Sequence, residues 1–177
     1  ISLLTKRERD KILNQSISKD RQKTSPKSVY AHFYSSVKNY PDSFAIKFKN
    51  KTVTYKELFN IVSSLSSYLV DSSITPGTLV ALCFSHNEHS LISGITLLGL
   101  GCSYLPIDTE VSDLYLQRIL KENNIKYLLT DEIFSDKLDA ILHEVGVRSI
   151  SFFNEPIETN ASNHSLTRIE NTDEQCY

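Results

Sequence analysis

Val29, Phe33 and Val37 recur every four residues and stop before Pro41, a spacing that predicts a helix over this stretch. In "FAIKFKNKTVTY" apolar and polar residues alternate on either side of Asn50-Lys51, which predicts a small β-hairpin near 44–54. Thr54-Tyr55-Lys56-Glu57 has the form of a capping box. Behind it Leu58, Ile61, Val62, Leu65 and Leu69 share one helical face, with Ser63, Ser64, Ser66 and Ser67 between them. Beyond Pro76-Gly77 short apolar runs alternate with helical periods. The strand "TLVALCF" precedes a helix over 88–100 carrying Leu91, Ile92, Gly94, Ile95 and Leu98. Strand "SYLPI", helix 112–123, strand "KYLLT", helix 135–144 and strand "VRSISFF" follow. Buried strands joined by helical crossovers predict an α/β fold, a largely parallel sheet flanked by helices on both faces.

The flanks read differently. Thr5-Lys6-Arg7-Glu8 is a second capping box, with Ile12 and Leu13 at helical spacing, so a short helix is expected near 5–14. "QSISKDRQKTSPKS" is polar and aperiodic. The expected organisation is a linker with a short helix over 1–27, the α/β portion over 28–153, and a polar segment over 154–177. Lys6, Arg7, Arg9, Lys11, Lys19, Arg21, Lys23 and Lys27 make the first segment basic, and the last is acidic; both read as solvated flanks. The 177 residues, 40% hydrophobic and 23% charged, describe an ordinary globular domain. A net charge of −2 gives no pull toward nucleic acid or an anionic membrane, and neither partner is expected. No run approaches the roughly 20 apolar residues of a membrane span. Charges follow the short apolar N-terminal patch instead of preceding it, unlike a signal peptide, so a cytoplasmic location is expected. The N-x-S/T triplets at Asn14, Asn50, Asn160 and Asn163 are then chance matches. The chain begins with Ile and contains no Met, which is expected of a piece of something longer.

Residue chemistry narrows the picture mainly by exclusion. Cys83, Cys102 and Cys176 form neither a disulfide framework nor a zinc spacing, and the first two read as small core hydrophobes. Cys83, His86, Glu88 and His89 lie close together, but not at the spacing of any standard metal site; His32, His143 and His164 stand apart. Gly99 and Gly101 in "LLGLGCSYLPID" suggest a phosphate loop, yet a dinucleotide fingerprint runs strand, glycines, helix. Here a helix precedes and a strand follows, so the pair reads as a joint with a left-handed cap. Asp108 falls at a strand's carboxyl end, the ligand-facing edge of α/β sheets. These features assign no catalytic, cofactor-binding or metal-ligating residue.

Three stretches bear a resemblance to a known family. "VTYKEL", Val53 to Leu58, resembles the L-[TS]-Y-x-E-L motif of nonribosomal peptide synthetase adenylation domains. "LGLGCSYLPID", Leu98 to Asp108, resembles L-K-A-G-x-A-Y-[VL]-P-[LI]-D, and "ILKENNIKYLLTD", Ile119 to Asp131, resembles the crossover that follows it. "ISLLTKRERDKIL" is similar to the linker from an upstream condensation domain. Gly99 stands for the usual Lys, Thr109 and Ser112 for two prolines, Tyr115 for Arg, and Ser85-His86-Asn87 for Glu-Arg-Ser; these mark a divergent member. The resemblance implies the N-terminal part of the adenylate-forming enzyme fold. It also implies a parent that activates an amino or related carboxylic acid with ATP and Mg²⁺ and passes it to a carrier-protein phosphopantetheine thiol. Its partners would be the remaining adenylation subdomains, an upstream condensation domain and a downstream carrier protein. The family's Y-T-S-G-[ST]-T-G-x-P-K-G phosphate loop has no counterpart before Tyr177, so this chain is expected to be scaffold, holding no cofactor and inactive alone. Two alternatives stand beside it: a degenerate, non-catalytic adenylation-like interaction module, and another acyl- or aryl-acid adenylating ligase.

Overall fold

The computed structural model describes residue 7 and residues 28–49, 51–85 and 88–153, without the side chains of 132–137. Arg7 apart, the predicted helix near 5–14 and the linker lie outside these residues, as do His86 and everything after Phe153.

Helix α1 (Val29–Asn39) starts at Ser28, whose Oγ accepts the Ala31 N–H at 3.1 Å. Strands β1 (Phe44–Phe48) and β2 (Lys51–Thr54) pair antiparallel as the predicted hairpin, with a register shift between Phe44 and Ile46. Helix α2 (Tyr55–Asp71) opens on the predicted capping box. The Glu57 N–H donates to Thr54 Oγ1 at 3.2 Å, and the Thr54 N–H donates to Glu57 Oε2 at 2.8 Å.

The main sheet holds β3 (Leu79–Cys83), β4 (Ser103–Pro106), β5 (Tyr127–Thr130) and β6 (Arg148–Ile150) in the order β4-β3-β5-β6, all parallel. Three helices cross between them: α3 (Glu88–Gly99), α4 (Asp113–Glu122) and α5 (Glu132–Val145). Strand side chains alternate in direction, so β3 serves two cores. Val80 and Leu82 join Leu58, Val62, Leu65 and Leu69 of α2 and Ile92 and Leu97 of α3. Ala81 and Cys83 join Leu116 and Leu120 of α4 and Leu138 and Leu142 of α5.

The joint expected after α3 recurs at every helix that feeds a strand of this sheet. Each such helix ends in a left-handed residue followed by a buried apolar one: Ser73 then Ile74, Gly101 then Cys102, Asn124 then Ile125, Gly146 then Val147. The N–H of each apolar residue returns to a leucine carbonyl: Ile74 to Leu69 at 3.1 Å, Cys102 to Leu97 at 2.9 Å, Ile125 to Leu120 at 3.0 Å, Val147 to Leu142 at 2.9 Å. These are Schellman motifs, satisfying helix-end carbonyls while turning the chain into the sheet. Gly101, with φ +70°, is one of them. Gly99 answers a different need. A Cβ there would meet the Tyr30 ring at 2.5 Å, so α1 docks on α3 through this notch. Burial, and then Tyr34, push the Tyr30 phenol up to about 12.

Two elements depart most from their predicted bounds. Helix α5 runs 132–145 instead of 135–144, and β6 covers only Arg148–Ile150 of "VRSISFF". Ser151, Phe152 and Phe153 leave the sheet because the two phenylalanines pack back on Tyr68 and Phe84.

Candidate functional site

Strand β3 is flanked by β4 on one side and β5 on the other, and the chain winds outward from it in both directions. Such a reversal leaves a crevice outside the carboxyl ends of the two central strands, where open α/β sheets receive ligands. Here those ends are Cys83 and Thr130, which are register partners, so Phe84 and Ser85 emerge beside Asp131. The Ser85 hydroxyl donates to Asp131 Oδ2 at 2.6 Å, and Asp131 is buried. This pair, 46 residues apart in sequence, ties the two strand ends together.

His89, in the first turn of α3, lies face to face with Phe153, with ring centroids 3.9 Å apart and planes 4° apart. Phe84 meets the same Phe153 edge-on at 5.9 Å. Burial holds His89 below the usual imidazole range; Glu88 and Asp131 oppose that shift, and Lys51 adds to it. Burial thereby favours the neutral imidazole. The cluster offers a hydroxyl, a carboxylate and a neutral imidazole against an aromatic wall.

Asp108 follows β4 at the same edge, and its Oδ1 accepts the Glu110 N–H at 2.9 Å, so the carboxylate shapes the turn into α4. Ser112, where the family has proline, caps α4 by accepting the Tyr115 N–H at 3.4 Å. Cys83 and Cys102 are buried thiols, and burial raises the Cys102 pKa. Cys176 lies outside the described residues, among which no group of three or more His, Cys, Asp or Glu could hold a metal. A hollow of about 260 Å³ opens at the sheet's other end, lined by Ser73, Thr75, Thr78, Asn124 and Lys126. It lies at the carboxyl ends of α2 and α4, where helix dipoles disfavour a phosphate. Sequence reasoning missed the Ser85–Asp131 pair and the His89–Phe153 stack. The signal lay in the strand order, which no local pattern encodes.

The geometry defines a doubly wound α/β unit with its crevice at β3 and β5. A family model described as AMP-binding enzyme matches residues 33–175, and the chain belongs to that family. Among curated relatives, a linear gramicidin synthase of Brevibacillus parabrevis is 25% identical over 96% of this chain. Tyrocidine synthase 1 of the same organism is 28% identical over 68%. The chain spans 2% and 11% of the length of these two relatives. Among solved structures, the N-terminal subdomain of Klebsiella oxytoca NpsA aligns with a TM-score of 0.58 at 24% identity. That alignment covers 61% of this chain and 28% of that one. Bacillus subtilis o-succinylbenzoate CoA synthetase, solved with AMP, aligns with a TM-score of 0.63 at 20% identity, covering 71% and 31%. The structural likeness establishes the fold, and the sequence relatives bear out the resemblance to the amino-terminal part of an adenylation domain.

Proposed function

We propose that this chain is the N-terminal scaffold of an adenylation domain whose whole polypeptide activates an amino or related carboxylic acid. In that reaction a carboxylate oxygen attacks the α-phosphorus of ATP and pyrophosphate leaves. The acyl-adenylate then yields its acyl group to a carrier-protein thiol and releases AMP. ATP and Mg²⁺ serve the whole domain. The expected partners are the remaining adenylation subdomains, an upstream condensation domain and a downstream carrier protein, in the cytoplasm. No described helix is long and apolar enough to cross a membrane. The observation that carries this reading is the family match over residues 33–175, within which "LGLGCSYLPID" forms the end of α3, its joint and β4.

The role of the chain here is mechanical. Its sheet and two cores supply a rigid layer, and the joints set where the strand ends emerge. A non-catalytic docking module is the second reading. It is favoured by Gly99, where the family lysine is replaced and the space is filled by Tyr30. The test is to express the chain with and without the polypeptide encoded after it, and to assay acid-dependent ATP–pyrophosphate exchange with each proteinogenic amino acid. Exchange only in the joined form supports the scaffold; none in either form supports the docking module.

A further inference from the structure

The segment after β6 does not leave the sheet at its edge. Strand β6 is separated from β3 by β5, yet the two residues beyond Ser151 reach back to groups around β3. Phe152 lies 5.3 Å from Tyr68 of α2, and 5.5 Å from Phe153 at 82°. Phe153 reaches Phe84, the residue after β3, and stacks on His89. Residues 151–153 thus form an aromatic strap at the crevice that holds Ser85 and Asp131.

We propose that this strap is an acid-released latch: it lies closed while His89 is neutral, and a proton on His89 frees it and opens the crevice at the ends of β3 and β5. A neutral imidazole packs face to face with a phenyl ring as a flat, weakly polar group, whereas an imidazolium is the more strongly hydrated form and loses more when the Phe153 ring covers one face of the half-buried His89. Attraction between a charged imidazole and the Phe153 face opposes release, as do the carboxylates of Glu88 on α3 and Asp131 after β5. Lys51 on β2 favours it. Burial outweighs the carboxylates, since the net shift of His89 is downward. A base whose folded pKa is depressed contributes stability that is present above its unfolded value, about 6.5, and lost as the pH falls through the folded one. The latch therefore opens on the acid side of neutrality, in a range where histidine titrates and carboxylates remain charged.

The test is NMR of the whole chain titrated from about pH 8 to about pH 5, following the His89 ring protons and the amide exchange of residues 151–153. The Phe153 ring shifts His89 upfield while the latch is closed. The expected result is loss of that shift with a midpoint below 6.5, and exchange protection at 151–153 falling about tenfold beyond the intrinsic pH effect. His89→Phe keeps a stacked ring without a titrating group, and its strap should stay protected throughout. Phe153→Leu should leave the segment exchanging freely near pH 7 in a chain that keeps its far-UV circular dichroism. A His89 that titrates while still shifted upfield overturns the proposal, because the charged ring then holds the strap. An unchanged acid response in His89→Phe overturns it too, by assigning the response to a group other than His89. Protected amides in a folded Phe153→Leu show that the strap is not what holds the segment.

Discussion

Thr54 and Glu57 exchange bonds at the start of α2, and each bond satisfies a backbone N–H that no helical carbonyl can reach. Thr54→Ala should cost about 1 kcal/mol, the usual worth of such a cap, seen as a lower chemical-denaturation midpoint with an unchanged slope. The Thr54 N–H, and then its hydroxyl, hold the Glu57 carboxyl below its usual range. A carboxyl whose folded pKa is depressed supplies stability above its unfolded value, about 4.3, and loses it as the pH falls through the folded one. Glu57→Gln should therefore flatten the acid limb of the stability profile, measured by urea titration at successive pH values. Ser93 shows the opposite situation. It is fully buried in α3, and its hydroxyl finds no hydrogen-bond partner among the described residues. A buried, unsatisfied hydroxyl costs about 1–3 kcal/mol, so Ser93→Ala should raise the melting temperature. An unchanged or lower value would show that the hydroxyl is satisfied after all.

Four helices of this fold hand over to strands through one backbone device, and the side chains used are not equally suited to it. Gly101 and Gly146 adopt the left-handed conformation freely, whereas Ser73 and Asn124 do so with a Cβ, at φ +70° and +52°. Gly101→Val should destabilise by more than about 1 kcal/mol, because a branched side chain is strained at φ +70°. Ser73→Gly should be neutral or stabilising, and equal losses from both changes would remove the shared-joint account. The joint after α3 was legible in the sequence because helix, glycine and strand follow one another within a few residues. So were the hairpin, the capped α2 and the β-α alternation, each written in local periodicity. What could not be read depends on partners distant in the chain. The Gly99 notch exists for Tyr30 on another helix, and Ser85 meets Asp131 only because β5 inserts beside β3. Likewise "SISFF" has strand character by composition, but Tyr68 and Phe84 draw its phenylalanines off the sheet.

At the scale of the molecule, several large apolar side chains among the described residues stand exposed. Leu91 on α3 is 53% exposed, and Leu114 and Tyr115 at the start of α4 are 78% and 51% exposed. Leu98 and Tyr104 are exposed as well, so the chain in isolation should self-associate at high concentration. The same separation of scaffold from chemistry bears on nucleotide binding. Holding a triphosphate requires converging donors and cations, as a glycine-rich loop with its lysine or a Mg²⁺ clamp supplies them. At the carboxyl edge of this sheet the charged groups that frame the crevice include Asp108 and Asp131, and burial disfavours the cation of the nearby His89. Carboxylates at a strand end repel an anionic ligand. The chain alone should therefore give no calorimetric binding signal with ATP and Mg²⁺ at micromolar concentrations, and no amino-acid-dependent pyrophosphate exchange above blank. Mixing in the polypeptide encoded after it should restore exchange and suppress self-association together, since one interface would cover the apolar surface and complete the site. Micromolar ATP affinity in the chain alone would mean that the crevice between β3 and β5 is itself a nucleotide site, and the scaffold assignment would fall.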